Sequence, residues 1–441
     1  VPRGEPPLLD VWCPVDPSAP LRATCRLVLT EPLPVEIEVT DGIETAVFAT
    51  VGGELEPVVP VWGLTSDTAW SYVARVGEVE LGGTIETGSL GEATTVEVHT
   101  TGVAAAVVQV LAPVDCVGGG HATVLDAAGR VRWFADTGGE DVDLVQWTED
   151  GTVLWIADRT QVTEVDASGR VVFGRDDLEL PLHHDVFRRG ERVYTLQADV
   201  WPAADGVTYV EDVVVAYDRT GDEVWRWDTH DHLDATLSSR SGDPYWRAWF
   251  PGAIDAWHTN GLFVTEDGEL VLSVNAEDSV LAVSVVDGAQ RWSVAGGGTS
   301  AAIPPTYGLA LGPRLGDPTF GDQHHAALLP GGHLTVFDNP RNRALELALD
   351  ATTGTAKFEA EWLVGLDCPI QSSVFSLDGG GRLVTCGDAH TFVEFDPAGH
   401  EVGRHVLSCP NGAVPPRTTR GQPLDLWDGV TAAGVTATRV W

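Results

Sequence analysis

Along the first hundred residues apolar and polar side chains alternate in short runs, VEIEV (35–39), TAVFATV (45–51), WSYVARV (70–76) and TTVEVHT (94–100), with Gly and Asp between them. A period of two with that punctuation predicts half-buried β-strands. From about residue 114 the pattern becomes a repeat: an Asp-Gly or Gly-Gly turn, an apolar strand, then V-x-x-D-x-x-G and an aromatic. Copies read WTEDGTVLWIADRTQVTEVDASGRVVF (147–173), VTEDGELVLSVNAEDSVLAVSVVDGAQRWSV (264–294), LPGGHLTVFDNPRNRALELALDATTGTAKF (329–358) and LDGGGRLVTCGDAHTFVEFDPAGHEVGRHV (377–406). Another, with a longer insert, runs from RRGERVYTL (188–196) to VVVAYDRTGDEVWRW (213–227), and a half-copy, HATVLDAAGRVRWF (121–134), starts the array. Each copy holds three to four antiparallel strands, which is the signature of propeller blades. The half-copy predicts ring closure, with strands near 424–440 completing the first blade. The chain is therefore expected to be all-β, a six-bladed β-propeller over 114–441 preceded by a small β-sandwich over 1–113. One large β-sandwich, the competing architecture, would not require so regular a repeat.

Within the amino-terminal part, Val61-Trp62-Gly63-Leu64-Thr65-Ser66-Asp67-Thr68-Ala69-Trp70-Ser71-Tyr72 resembles the turn of fibronectin type III domains in which a Leu and an aromatic pack across two sheets. That likeness implies a fibronectin-like sandwich with a structural role.

Composition narrows the function classes. The 441 residues are 43% hydrophobic and 21% charged, enough for a large core. Acidic residues outnumber basic ones 65 to 26, a formal charge of −39. Such a surface repels nucleic acid and anionic lipid, so nucleic-acid binding is excluded. The longest apolar run, residues 103–114, falls short of the roughly 20 residues a membrane helix needs, so no membrane insertion is expected. There is no Met and a single Lys, Lys357, so the numbering does not start at an initiator. Val1-Pro2-Arg3-Gly4 looks like part of an engineered protease site and is left out of the fold reading. Six cysteines without metal-type spacing predict disulfides in an exported protein, whether periplasmic, secreted or cell-surface. Proximity favours Cys13 with Cys25 and Cys368 with Cys386, leaving Cys116 and Cys409 to staple the ends of the array. The acidic, Lys-poor surface suits a salty or extracellular setting.

The candidate chemistry is histidine. Five of thirteen histidines fall at one place, the start of the first strand, in three successive repeats: Leu182-His183-His184-Asp185, Trp257-His258-Thr259-Asn260 and Gln323-His324-His325-Ala326. The next repeat has Ile370-Gln371-Ser372 there. First strands of blades line the central channel, so these side chains should converge at one mouth. "HHD", "W-x-HxN" and "QHxA", followed by Phe337-Asp338-Asn339, on a propeller behind a small sandwich, resemble the bacterial arylsulfate sulfotransferases over about 180–400. In that family a phenolic sulfate gives its sulfuryl group to a channel histidine, which passes it to a phenol without any cofactor. The resemblance implies His324 as nucleophile, His184 and His258 as supporting histidines and Asn260 as the amide beside them. Substrate contacts are expected from His183, His325, Gln323 and Asn339. The substrate would be a small aromatic molecule. Trp249 and Phe250, in the run Tyr245-Trp246-Arg247-Ala248-Trp249-Phe250, are expected to wall a phenol pocket.

The residue types suit that chemistry on their own account. A neutral imidazole can attack sulfur, a second can carry the phenol's proton, and His and Asn donors can hold sulfuryl oxygens. One departure stands out: where the family has an anion-binding Arg in an "SSR" stretch, this chain has Ser273-Val274-Asn275. Arg247, Arg341 and Arg343 are the nearby cations available to replace it. The alternative reading is a metalloenzyme in which His184, His258 and His324 bind a transition metal ion, with Asp185 or Asp322 as ligand or orienting carboxylate. A third class, a non-catalytic binding propeller, predicts no histidine cluster. His230 and His232 are expected in a solvated loop, and the Asp-rich turns at Asp176-Asp177 and 231–234 lack calcium-site spacing.

Overall fold

The computed structural model describes residues 6–91, 96–102, 109–114, 116, 120–139, 142–235, 245–297, 306–310, 316–410 and 420–440. Apolar strands and Asp-turns assemble into six blades, of which the fourth and fifth are joined at their outer edges by Thr306–Ala310, paired in parallel with the last strand of each. Blade two runs from Val142–Trp147 to Val171–Arg175, blade three from Leu182–Arg189 to Glu223–Asp228 and blade four from Thr259–Val264 to Gln290–Ala295. Blade five runs from His324–Leu329 to Thr355–Leu363 and blade six from Ser372–Ser376 to Glu401–Ser408. Blade one is composite: Gln109–Val114, His121–Asp126 and Val131–Asp136 take their innermost strand, Gln422–Leu424, from the other end of the chain. The innermost strands of blades one to six touch in succession and so enclose the channel.

Local chemistry accounts for the blades. Middle strands such as TVLWIA (152–157) and SVLAVS (279–284) are buried throughout because neighbouring blades cover both faces. The repeated D-x-x-G turn is an Asx turn. Asp126 Oδ1 accepts from the N–H groups of Ala128 and Arg130, and Asp396 Oδ1 from those of Ala398 and His400, all within 2.9 Å.

The amino-terminal part differs from expectation in one respect. Its smaller sheet comprises Leu8–Trp12, Val15–Asp16, Ala19–Leu29 and Val58–Val61. Its larger sheet gains the carboxy-terminal hairpin, Asp428–Ala432 with Val435–Val440 paired to Thr45–Thr50. The ring is thus closed by 422–424 alone, and 428–440 belongs to the other sheet. The 113/114 boundary is likewise not a clean cut: Gln109–Val114 lies in blade one, and Glu97–Gly102 adds a fifth strand to blade six. Packing explains the exchange. Trp62 Nε1 donates to Leu426 O (3.0 Å) and Trp427 Nε1 to Trp62 O (2.8 Å), so the two buried indoles lock the chain ends together. Gly63, at φ +78°, lies so close to Trp427 that a Cβ there would sit 2.7 Å from its Nε1. The two sheets share one buried cluster with blades one and two.

The three disulfides pair as proximity suggested: Cys13–Cys25, Cys368–Cys386 and, across 293 residues, Cys116–Cys409. No helix among the described residues is long and apolar enough to cross a membrane.

Candidate active site

In a regular strand successive side chains point to opposite faces, so adjacent histidines could not both face the channel. The sequence solves this with bulges. The pairing of the first two strands breaks register between Leu182 and Val186, between Thr259 and Gly261, and between His324 and Ala327. His184, His258 and His325 stand at φ +52°, +50° and +51°, and Gln371, in blade six, at +49°. The left-handed region is tolerated better by His than by most side chains but still costs about 1–3 kcal/mol per residue. The bulge re-aims consecutive side chains toward the axis.

A cavity open to solvent results; it is lined by His184, His324, His325, Asn260, Tyr245, Gln371, Ser372, Leu144 and Arg420. The His184 ring centroid lies 4.8 Å from that of His258, 6.4 Å from that of His324 and 4.9 Å from that of Tyr245. His183 sits behind His184, buried against Trp246 (5.0 Å).

Hydrogen-bond partners assign the tautomers. Asn339 Nδ2 donates to Cys368 O, so Asn339 Oδ1 accepts from His324 Nδ1 at 2.8 Å, which leaves the His324 Nε2 lone pair free of that bond. Gln197 O accepts from His183 Nε2 (3.2 Å), so His183 Nδ1 accepts from His184 Nδ1 (2.9 Å), and the His184 lone pair also falls on Nε2. His325 is the reverse case: its Nδ1 accepts from the Val374 N–H (3.3 Å), which puts the proton on Nε2. His258 Nδ1 lies 2.5 Å from Asp255 Oδ2, so this histidine has a carboxylate counter-ion when protonated.

Burial keeps these imidazoles neutral. Desolvation is the largest cause throughout, lowering His324 to about 4 and His183 to about 3, with His184 and His325 well below the ordinary value. Asp212, 3.4 Å from His183 Nε2, is pushed up to about 7 by burial and by the nearby Asp255 carboxylate.

Several expected residues lie elsewhere. Gln323 is buried away from the cavity, its amide nitrogen donating to Ser279 O (2.9 Å) and Val274 O (3.2 Å); it orders blade four. Asn339 supports His324 from behind. Trp249 and Phe250 do not wall the cavity, because a helical turn, with Phe250 N donating to Trp246 O (2.8 Å), carries them one turn past it. Tyr245 takes that place. The substitute cations fail as well. Arg343 is held by Asp338 and Glu361, Arg341 by Asp338, and Arg247 is exposed. Asn275 spends its amide on Gln323 O (3.2 Å).

The cation at the cavity is one the sequence reading missed. Arg420 is 5% exposed, and its Nη2 donates to Asp185 Oδ2 at 2.6 Å. The same Asp185 oxygen accepts from Leu262 N (2.8 Å), so Asp185 orders the channel wall. Gly421 brings Arg420 in: a Cβ on it would lie 2.3 Å from Phe392 Cε1, so only glycine passes between the closing strand and blade six. Nothing in the repeat marks Arg420, because it stands outside every copy.

Among the described residues no three His, Cys, Asp or Glu side chains are arranged to hold a metal ion, so His184, His258 and His324 do not form a ligand set. Asp322 has its backbone N–H on Asp278 Oδ1 (2.8 Å) and its side chain exposed. His230 contacts Glu211 and stacks on Trp201, and His232 stacks on Trp227; neither joins the cluster.

Among curated proteins no sequence matches. Of solved structures, the chain is similar to an auxiliary nutrient binding protein from Bacteroides ovatus at 10% identity and TM-score 0.39, with 95% of this chain and 92% of that one covered. It is similar to the WD40 β-propeller domain of Doa1 at 11% identity and TM-score 0.38, covering 85% of this chain and 92% of that one. A virginiamycin B lyase from Staphylococcus aureus is similar at 9% identity and TM-score 0.36, covering 71% and 99%. The arylsulfotransferase (ASST) family model matches residues 111–358, more than half of the chain, and the matched segment contains His184, His258, Asn260 and His324 while ending before Arg420. This chain belongs to the arylsulfotransferase family.

Proposed function

We propose that the protein transfers a sulfuryl group from an aryl sulfate to a phenol by way of His324. The observation that carries this reading is the orientation of His324: Asn339 takes the Nδ1 proton, and burial keeps the imidazole neutral at the wall of an open cavity. In the first half-reaction the Nε2 lone pair attacks sulfur, the S–O(aryl) bond breaks, and the phenolate leaves with that electron pair. Three donors are placed for the three sulfuryl oxygens: Arg420, the His325 Nε2–H and the amide nitrogen of Asn260. Asn260 Nδ2 is buried without a hydrogen-bond partner, an unmet need that a sulfuryl oxygen would satisfy. Arg420 thus stands in for the cation missing at Asn275.

Proton traffic falls to the supporting histidines. His258, hydrogen-bonded to Asp255 and with its ring 4.8 Å from that of His184, is the second imidazole able to exchange a proton with the phenol oxygen. In the second half-reaction the phenol oxygen bonds to sulfur, the S–N bond breaks with its pair returning to His324 Nε2, and His184 takes the phenol's proton on its own Nε2; His183 and Asp212 stand behind it to share the resulting charge. No cofactor enters this scheme. Tyr245, stacked under the Arg159 guanidinium at 4.4 Å, offers an aromatic face to the substrate. Three disulfides suit an exported enzyme working in an oxidising compartment.

The test is steady-state kinetics with 4-nitrophenyl sulfate and phenol varied together. Covalent relay gives parallel double-reciprocal lines. Intersecting lines would mean that both substrates bind before transfer and would remove His324 as carrier.

A further inference from the structure

The channel does not end at the histidines. At the opposite ends of the innermost strands lies a second cavity of about 390 Å³, also open to solvent, lined by Trp147, Phe187, Phe263 and Phe375 from four different blades. Among the described residues His325 and Arg420 are the two that line both cavities, so these side chains stand between them. That volume lies at the lower end of the range of small-molecule sites, which are largely apolar with a few placed polar groups, so the cavity is matched to a small ligand.

The charges decide what fits. At the rim Arg189 pairs with Glu149 (2.5 Å) and Arg188 with Asp150, so the rim is neutralised within itself. At the inner end stands Arg420, ion-paired with the buried Asp185 through one Nη2 proton, so what it offers a ligand is its remaining N–H donors rather than an unbalanced charge. Among the described residues its remaining N–H groups have no hydrogen-bond partner, and they are not buried away from the cavities. His325 adds a second donor there, because the Val374 N–H fixes its proton on Nε2. Of the other polar side chains in the lining, Gln422 is bonded to Trp147 at both ends of its amide, Gln146 Oε1 accepts from Arg188 N and Thr148 is bonded to Thr152. Aromatic walls with uncommitted donors at the inner end suit a ring that carries an acceptor-only group.

We propose that this lower cavity is a second binding site, for a small aromatic anion such as an aryl carboxylate or aryl sulfate, with the ring among Phe187, Phe263, Phe375 and Trp147 and the anionic group on Arg420. The site is separate from the histidine cavity, with His325 and Arg420 standing between the two.

Calorimetric titration of the full chain with 2-naphthoate tests it. A saturable site is expected that weakens at least tenfold in Ser376→Trp, which fills the exposed mouth, and in Leu329→Glu, which sets a carboxylate in it. The neutral analogue 2-naphthalenemethanol should bind at least tenfold more weakly than the anion. Absence of saturable binding, unchanged affinity in a variant whose circular dichroism matches the parent, or equal affinity for the neutral analogue would each overturn the proposal. The readout involves no group transfer, so it stands or falls independently of the sulfuryl-transfer reading.

Discussion

Blades three to five and the seam of the ring contribute to one cavity by different means. In blades three to five the first strand breaks register and the histidines leave bulged backbone, His184 and His325 at φ +52° and +51°. At the seam, Ser372–Ser376 and Gln422–Leu424 pair without a break, and the functional side chain, Arg420, comes in beside a glycine instead. In the proposed sulfuryl transfer the repeated half would supply nucleophile and proton carriers, and the seam the cation. A propeller can therefore place chemistry either by bending a strand or by threading a chain end into the ring, and only the first leaves a repeated mark in the sequence.

The sharpest way to break that division is His324→Asn. Turnover of 4-nitrophenyl sulfate should fall by about four orders of magnitude or more with the fold intact, a loss of about 5.5 kcal/mol; retained activity would move the nucleophile elsewhere. Next comes the staple of the seam. Cys116→Ser with Cys409→Ser opens a closure spanning 293 residues and should lower unfolding stability by about 3–5 kcal/mol in urea titration. No change would mean that the ends are held by Trp62 and Trp427 alone.

Arg420→Gln should then reduce kcat/KM for aryl sulfates by about 10- to 150-fold, the effect of a charge-assisted hydrogen bond of about 1.5–3 kcal/mol. Arg341→Gln, which alters a cation held by Asp338 outside the cavity, should leave it within twofold. The reverse result would return the anion site to blade five.

Per unit of change the gentlest effect is that of pH. His183, His184, His324 and His325 are held neutral by burial, so below about pH 6.5 the unfolded chain takes up protons that the folded one refuses. Stability should therefore fall as pH drops from 6.5 toward 4, by about 1.4 kcal/mol per pH unit for each such histidine. Activity limited by His324 should persist until the pH nears about 4. Urea midpoints at pH 7, 6 and 5, set beside the pH profile of kcat/KM, check both.

How much of this was legible in the sequence follows from what repeats. The blades were, because Asp126 and Asp396 set the same Asx turn in different copies. His184, His258 and His324 were, because a repeated strand start maps to the channel. Trp249 and Phe250 misled because a helical turn after Trp246 displaces them, and an aromatic run does not reveal its own turn. The Asp428–Val440 hairpin was misplaced because its alternation suits a blade and a sandwich sheet equally well. Arg420 was invisible: its position depends on the passage of Gly421 past Phe392, a contact between segments that no local pattern encodes.

The central claim is that His324 carries the sulfuryl group. Rapid mixing of the protein with 4-nitrophenyl sulfate in the absence of acceptor, followed by alkaline quench and peptide mass spectrometry, tests it directly. The account predicts one sulfuryl group per chain, on His324 and released by added phenol. Turnover with no modified peptide, or with the group on another residue, would contradict it.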